Sequence, residues 1–244
     1  MENLIIIPAR LESSRLPNKP LAEIAGLPMI IHVMNRAIES KCGDVIIATP
    51  NKEIFEIVNF YNGIAIMTKF SHESGSDRVF EALEKYDKDK KYKTIINLQG
   101  DLPNINPSLI NRTYKLLTEN LNADISTLCC PIFDSNEVEN PNIVKAYIKN
   151  LVKPIYAYDF VRIPGLYEYK KLFHHLGIYG YKRRSLEKFI SMSQSSREKQ
   201  LKLEQLRALD NGMKIVIDLT NETPIGVDTE NDLNNVRKEF EQLK

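Results

Sequence analysis

Short apolar runs alternate through the first half of the chain with longer stretches in which apolar residues recur every three or four positions. Leu4-Ile5-Ile6-Ile7-Pro8, Val45 to Ala48, Ile64 to Met67 and Thr94 to Leu98 have the length and branched side chains of buried strands. Between them, the pattern after Pro28 predicts an amphipathic helix from Met29 that stops near Gly43. A second helix covers about Lys52 to Tyr61 and ends at Asn62-Gly63. After a polar loop, Ser71 to Ser76, a third carries Val79, Phe80, Ala82 and Leu83 on one side. Asn106-Pro107 opens a fourth with a capping residue and a proline at its first position. This β-α-β rhythm predicts an α/β protein, with a mainly parallel sheet covered by helices on both faces.

From about Asn122 onward strands become denser: Ile125 to Pro131, Val144 to Ile148, a stretch around Ile155 to Val161, and Leu176 to Tyr181. They predict an antiparallel extension of the same sheet. Helices follow over Arg184 to Met192 and Glu198 to Asn211, where Gly212 supplies a stop. Lys214 to Leu219 reads as another strand, and Thr229-Glu230-Asn231-Asp232 as a capping box that opens the last helix. No repeat, low-complexity segment or flexible linker interrupts the chain, so one domain over residues 1–244 is expected.

Composition narrows the function. A net charge of +1 and a pI of about 7.7 lack the basic excess of a protein that coats nucleic acid, so any basic site is local. The cysteines are Cys42, Cys129 and Cys130, an odd number without C-x-x-C spacing. They point to a reduced compartment and to strand packing rather than a zinc site or a catalytic thiol. With no charged leader before an apolar segment, and no run of ~18 apolar residues, a soluble cytoplasmic protein without membrane insertion is expected.

The candidate chemistry begins where the first strand ends. Arg10, Arg15 and Lys19 lie in a loop with Ser13, Ser14, Pro17 and Pro20, suited to a phosphorylated ligand, although a solvated basic loop has the same composition. The P-loop and G-x-G-x-x-G signatures are absent, which demotes P-loop NTPases and standard dinucleotide dehydrogenases. Ser74-Gly75-Ser76-Asp77-Arg78 precedes a helix and suits an anion or a nucleobase edge, or simply a turn and cap. Asp101 and Asp228 each follow a strand-like run within a turn. As a pair they suit magnesium held with phosphate oxygens; singly, each reads as a turn aspartate. His174-His175 precedes a strand, where at most one faces a site and a structural hydrogen bond is the ordinary role. Glu204-Gln205-Leu206-Arg207 reads as part of a helix, with a polar face as its ordinary role.

Taken in order, these segments resemble the 3-deoxy-D-manno-octulosonate (Kdo) cytidylyltransferases. The likeness is carried by Ile7-Pro8-Ala9-Arg10, Ser14-Arg15-Leu16-Pro17, Lys19-Pro20-Leu21, His72 with Ser74 to Arg78, and Gln99-Gly100-Asp101 with Pro103. Asn140-Pro141-Asn142 with Val144-Lys145, His175 to Tyr179, Leu203 to Leu209 and Val227-Asp228-Thr229 extend it over nearly the whole chain. The resemblance implies a Rossmann-like nucleotide-diphospho-sugar transferase fold, with a nucleotide part over about 1–120 and a sugar-binding and dimerisation part over about 121–228. It implies transfer of CMP from CTP to the anomeric hydroxyl of an acidic sugar such as Kdo, in the cytoplasm, by a homodimer serving lipopolysaccharide or capsule synthesis. Ala9, Arg10, Ser14, Arg15, Lys19, Ser74, Arg78 and Gln99 would bind the nucleotide. Asp101 and Asp228 would hold Mg²⁺ and, with Arg10 and Lys19, form the catalytic set. Arg162, His175, Glu204 and Gln205 would face the sugar.

Three segments depart from the family pattern. Leu102 stands where an acidic residue is usual, and Ala48-Thr49-Pro50-Asn51 where paired aspartates are common. Tyr156-Ala157-Tyr158-Asp159-Phe160-Val161-Arg162-Ile163-Pro164 lacks the arginine that anchors the sugar carboxylate, unless Arg162 replaces it. Readings left open are therefore a cytidylyltransferase for another nonulosonic or modified Kdo acid, a change of nucleotide, and a catalytically silent nucleotide-binding paralogue.

Overall fold

The computed structural model describes residues 2–12 and 15–242. The chain forms two compact units, Met1–Asn111 with Pro224–Lys244, and Arg112–Thr223. In the first, β1 (Asn3–Pro8) is followed by a short hairpin, β2 (Glu23–Ile24) and β3 (Leu27–Pro28), which the apolar pattern was too brief to announce. Then come α1 (Met29–Glu39), β4 (Asp44–Thr49), α2 (Lys52–Phe60), β5 (Ala65–Met67), α3 (Gly75–Tyr86), β6 (Thr94–Leu98) and the opening residues of α4 (Pro107–Glu119), which continues past Asn111 as part of the second unit. Apart from the antiparallel β2–β3 hairpin, the strands of this unit lie in the order β5-β4-β1-β6, all parallel, with Ile5 opposite both Val45 and Ile96.

Burial on both faces explains the unbroken apolar run of β1, whose Leu4 to Ile7 are wholly inaccessible. Because the strands are parallel, the segments leaving β1, β4 and β6 emerge at one edge, the usual ligand edge of an open α/β sheet. Gly43 does not stop α1, which ends four residues earlier at Glu39 with Ser40 as its cap. Its role is close approach: a Cβ there would lie 2.3 Å from the Asn3 carbonyl oxygen.

The second unit contains β7 (Ile125–Pro131), α5 (Ser135–Glu139), β8 (Lys145–Tyr147), β9 (Ile155–Tyr156), β10 (Asp159–Val161), β11 (Leu172–Lys182), α6 (Arg183–Ser191), α7 (Ser196–Leu201), α8 (Gln205–Asp210) and β12 (Ile215–Leu219). β7 pairs antiparallel with β11 and parallel with β12; β9 joins β12, and β8 joins both β10 and β11, all antiparallel. Three expectations are corrected here. The stretch around Ile155 to Val161 is two short strands with different partners. β11 starts at Leu172, so His174 and His175 lie within it rather than before it. The helix expected over Glu198 to Asn211 is two helices, broken where Lys202 takes a left-handed φ of 53°. Cys129 and Cys130 pack inside β7, and burial raises both thiol pKa values, as strand packing requires.

The chain then returns to the first unit for α9 (Glu230–Gln242). Its opening turn is the expected capping box: Thr229 Oγ1 accepts from the Asp232 amide, and the Asp232 carboxylate accepts from the Thr229 amide at 2.8 Å. Leu233 and Val236 of α9 pack with Leu16, Ile24, Met29 and Val227, tying the basic loop to the turn that carries Asp228. Among the described residues, no helix is long and apolar enough to cross a membrane.

Candidate active site

The segments that follow β1, β5 and β6 deliver polar groups to one cleft. Its volume is about 350 Å³, and its walls include Ala9, Arg10, Glu12, Arg15 and Lys19 after β1, Ser74 and Arg78 at the start of α3, Gln99 and Asp101 after β6, and Asp228 before α9. Gly100 lets the Gln99-Gly100-Asp101 turn close against β1, since a Cβ at this position would lie 2.9 Å from the Pro8 carbonyl oxygen. The Asp101 carbonyl accepts from the Val227 amide at 2.9 Å, which joins the two aspartate-bearing turns.

Lys19 is the electrostatic centre. Its ammonium donates to Asp101 Oδ2 at 3.0 Å, to Asp228 Oδ1 at 3.2 Å and to the Val227 carbonyl at 2.8 Å, while Arg15 pairs with the other Asp228 oxygen at 3.0 Å. Burial works against the lysine charge, but the two carboxylates outweigh it and raise the Lys19 pKa. Two carboxylates distant in sequence therefore converge on one cation position, and their oxygens suit magnesium once phosphate and water complete its shell. Among the described residues no group of three or more His, Cys, Asp or Glu is placed to hold a metal ion.

The opposite wall is built by hydrogen bonds that fix its groups in place. Ser74 caps α3: its hydroxyl accepts from the Asp77 amide at 3.2 Å and donates to the Asp77 carboxylate at 2.8 Å. Arg78 donates to Thr68 Oγ1 at 2.6 Å and to the Lys69 carbonyl at 3.1 Å; burial and then nearby Arg10 lower its pKa. Glu81 accepts from the Lys69 amide and from His72, and these contacts with Lys85 overcome burial to bring its carboxyl down to about 2. Gln99 is oriented from inside the sheet, donating at 3.1 Å to the fully buried Asn97, which in turn bonds Ser76.

The sequence matches the cytidylyltransferase family over residues 4–215. A 3-deoxy-manno-octulosonate cytidylyltransferase of Bartonella bacilliformis is 45% identical over 98% of both chains, and one of Brucella anthropi is 46% identical over 97% of this chain and 96% of its own. This chain belongs to the 3-deoxy-manno-octulosonate cytidylyltransferase family. A solved CMP:2-keto-3-deoxy-manno-octonic acid synthetase in complex with CTP superposes over the full length of both chains, with a TM-score of 0.90 at 34% identity. The mixed α/β family fold, mostly parallel with antiparallel strands, is thus the fold of this chain.

The cleft gathers Ala9, Arg10, Arg15, Lys19, Ser74, Arg78, Gln99, Asp101 and Asp228; Ser14 lies outside the described residues. Glu12, His72 and Glu73 also line it and were given no role by sequence reasoning. His72 stands within the family motif that leads to Ser74, and Glu12 is an acidic residue inside a basic loop; those are the signals the sequence offered.

The remaining family positions lie in the second unit. His175 is buried and bonds Thr127 Oγ1 at 2.9 Å; since that hydroxyl donates to the Ile178 carbonyl, His175 Nε2 is the donor. Burial holds its pKa down to about 3, so the ring is neutral. Arg162 points its guanidinium at three backbone carbonyls, those of Leu201 (2.9 Å), Pro141 (3.0 Å) and Lys202 (3.3 Å). Glu204 is the residue before α8 and Gln205 its buried first residue. Asp159, in the altered segment, is buried and paired with Arg197 and the Tyr167 hydroxyl.

Proposed function

We propose that this chain is a nucleotidyltransferase that joins CMP from CTP to the anomeric hydroxyl of Kdo or a closely related acidic sugar. The observation that carries this reading is the Lys19 ammonium held between Asp101 and Asp228 in a cleft that also presents Arg10, Arg15 and Arg78. A triphosphate is the ligand that such a density of cations around a carboxylate pair suits. The hydroxyl oxygen forms a bond to the α-phosphorus and the bridge to the β-phosphate breaks. Pyrophosphate leaves, and the hydroxyl proton passes to solvent.

Little covalent work falls to the protein, so alignment and charge stabilisation dominate. Arg10, Arg15 and Lys19 neutralise the phosphates, while Ser74, Arg78 and Gln99 orient the nucleotide. Asp101 and Asp228 would hold Mg²⁺, which when bound offsets charge on the phosphates and lowers the pKa of the attacking hydroxyl. Arg162, His175, Glu204 and Gln205 are the proposed sugar-facing group. The commitment of Arg162 to backbone carbonyls and of Arg197 to Asp159 favours, as a second reading, an acceptor modified relative to Kdo.

The test is pyrophosphate release measured with CTP, Mg²⁺ and a panel of eight- and nine-carbon sugar acids. Release should require all three components, and Asp101→Asn or Asp228→Asn should each abolish it without altering the circular-dichroism spectrum. A panel in which no acid yields a CMP-sugar rejects the catalytic reading.

A cytoplasmic homodimer serving lipopolysaccharide synthesis completes the proposal. Supporting the dimer, the second unit leaves the large apolar side chains of Phe133, Leu151, Val152, Ile163 and Leu166 exposed, the kind of surface a partner copy covers.

A further inference from the structure

Asn51 stands at the cap position of α2, where an asparagine side chain ordinarily accepts from the helix's own amides, yet it makes no such bond. Its side chain, buried with only 6% of the residue exposed, turns instead to the loop that leaves the neighbouring strand β1. Oδ1 accepts from the Leu11 amide at 3.1 Å, and Nδ2 donates to Glu12 Oε1 at 3.1 Å. A backbone N–H can only donate and an ionised carboxylate can only accept, so these two partners fix the orientation of the Asn51 side chain. The Leu11 carbonyl then accepts from the Asn18 amide at 3.3 Å, closing the loop one residue before Lys19. Glu12 lines the phosphate cleft, and its pKa is lowered chiefly by the bond from Asn51.

We propose that Asn51 is a positioning residue for nucleotide binding, clamping the stem of the cation-bearing loop through Leu11 and Glu12. The role accounts for the departure from the family's paired aspartates at this strand end. An aspartate at 51 would still accept from Leu11 but would bring a second carboxylate to hydrogen-bond distance of Glu12, where two like charges do not both persist. Asparagine at 51 is therefore the complement of glutamate at 12. The inference rests on the nucleotide reading of the cleft, and the measurements separate the two.

Amide exchange over residues 9–12 and 15–19 of the free protein and calorimetric CTP affinity are compared for the wild type, Asn51→Asp and the double variant Asn51→Asp with Glu12→Gln. At pH 8, Asn51→Asp should speed exchange of the loop and weaken CTP binding, each about tenfold, the scale of a lost hydrogen bond to a charged group. At pH 5, where the two carboxylates share a proton, the loss should shrink. The double variant exchanges donor for acceptor and should return both readouts to within about twofold of wild type. Aspartate is as good a cap as asparagine, so exchange in α2 should not change. Equal loop exchange in Asn51→Asp and wild type overturns the clamp, as does a double variant no better than the single one. Loop exchange that responds as expected in a protein that binds no CTP upholds the clamp and overturns the nucleotide reading.

Discussion

Lys19 satisfies two carboxylates and a carbonyl at once, so removing its charge leaves Asp101 and Asp228 facing each other across the cleft. Lys19→Met should therefore lower kcat/KM for CTP about hundredfold or more, the scale of losing one positioned charge at a transferring phosphoryl group; steady-state kinetics checks it. His175 gives a different signature. Its native pKa of about 3 lies below the ordinary 6.5, so as pH falls below 6.5 the unfolded chain takes up a proton that the native state refuses. Stability attached to this group is complete above pH 6.5 and is lost progressively toward pH 3. Between pH 7 and 5 the wild type should lose about 2 kcal/mol more than His175→Gln in urea titrations. At this scale the sequence was most legible for the cations and aspartates, because they flank strand ends whose apolar pattern is plain. It was least legible for Arg162, whose three carbonyl partners come from segments distant along the chain.

At the level of elements, the break between α7 and α8 is instructive. No glycine or proline marks it; Lys202 adopts the left-handed conformation while Arg162 binds the carbonyls of Leu201 and Lys202. The two short helices are joined instead by a buried bidentate pair, in which Arg207 donates to both Glu198 oxygens at 2.9 and 2.6 Å. Periodicity over Glu198 to Asn211 read as one helix because tertiary contacts, invisible in a window of sequence, decide the kink. Arg207→Met should cost about 3–5 kcal/mol by stranding the Glu198 carboxylate, whereas Arg207→Met with Glu198→Leu should cost much less; chemical denaturation separates them. The early start of β11 has a similar cause. Phe173, His174 and His175 find backbone partners on β7, and Leu172 to His174 find them on β8, so histidines that looked like a polar boundary are accommodated inside a strand.

For the molecule as a whole, light scattering should return twice the 28.1 kDa chain mass, and Leu166→Asp with Val152→Asp should halve it without loss of helicity. The order of the apolar runs made the parallel half of the fold readable, and the capping box at Thr229 announced the last helix. That the chain leaves its first unit after Asn111 and re-enters it at Pro224 was not readable, since no compositional seam accompanies either crossing. This re-entry places Asp228 209 residues after Lys19, so Asp228 and α9 leave the ribosome long after Lys19 and Asp101, the groups they join. Domains generally fold in the order they are made, but here the nascent first unit waits for a segment that follows the second. Until then the basic loop lacks the apolar support of Leu233 and Val236, and the cation position has only one of its two carboxylates. The site's charges thus come into balance only once the whole second unit has been made and Asp228 has followed it.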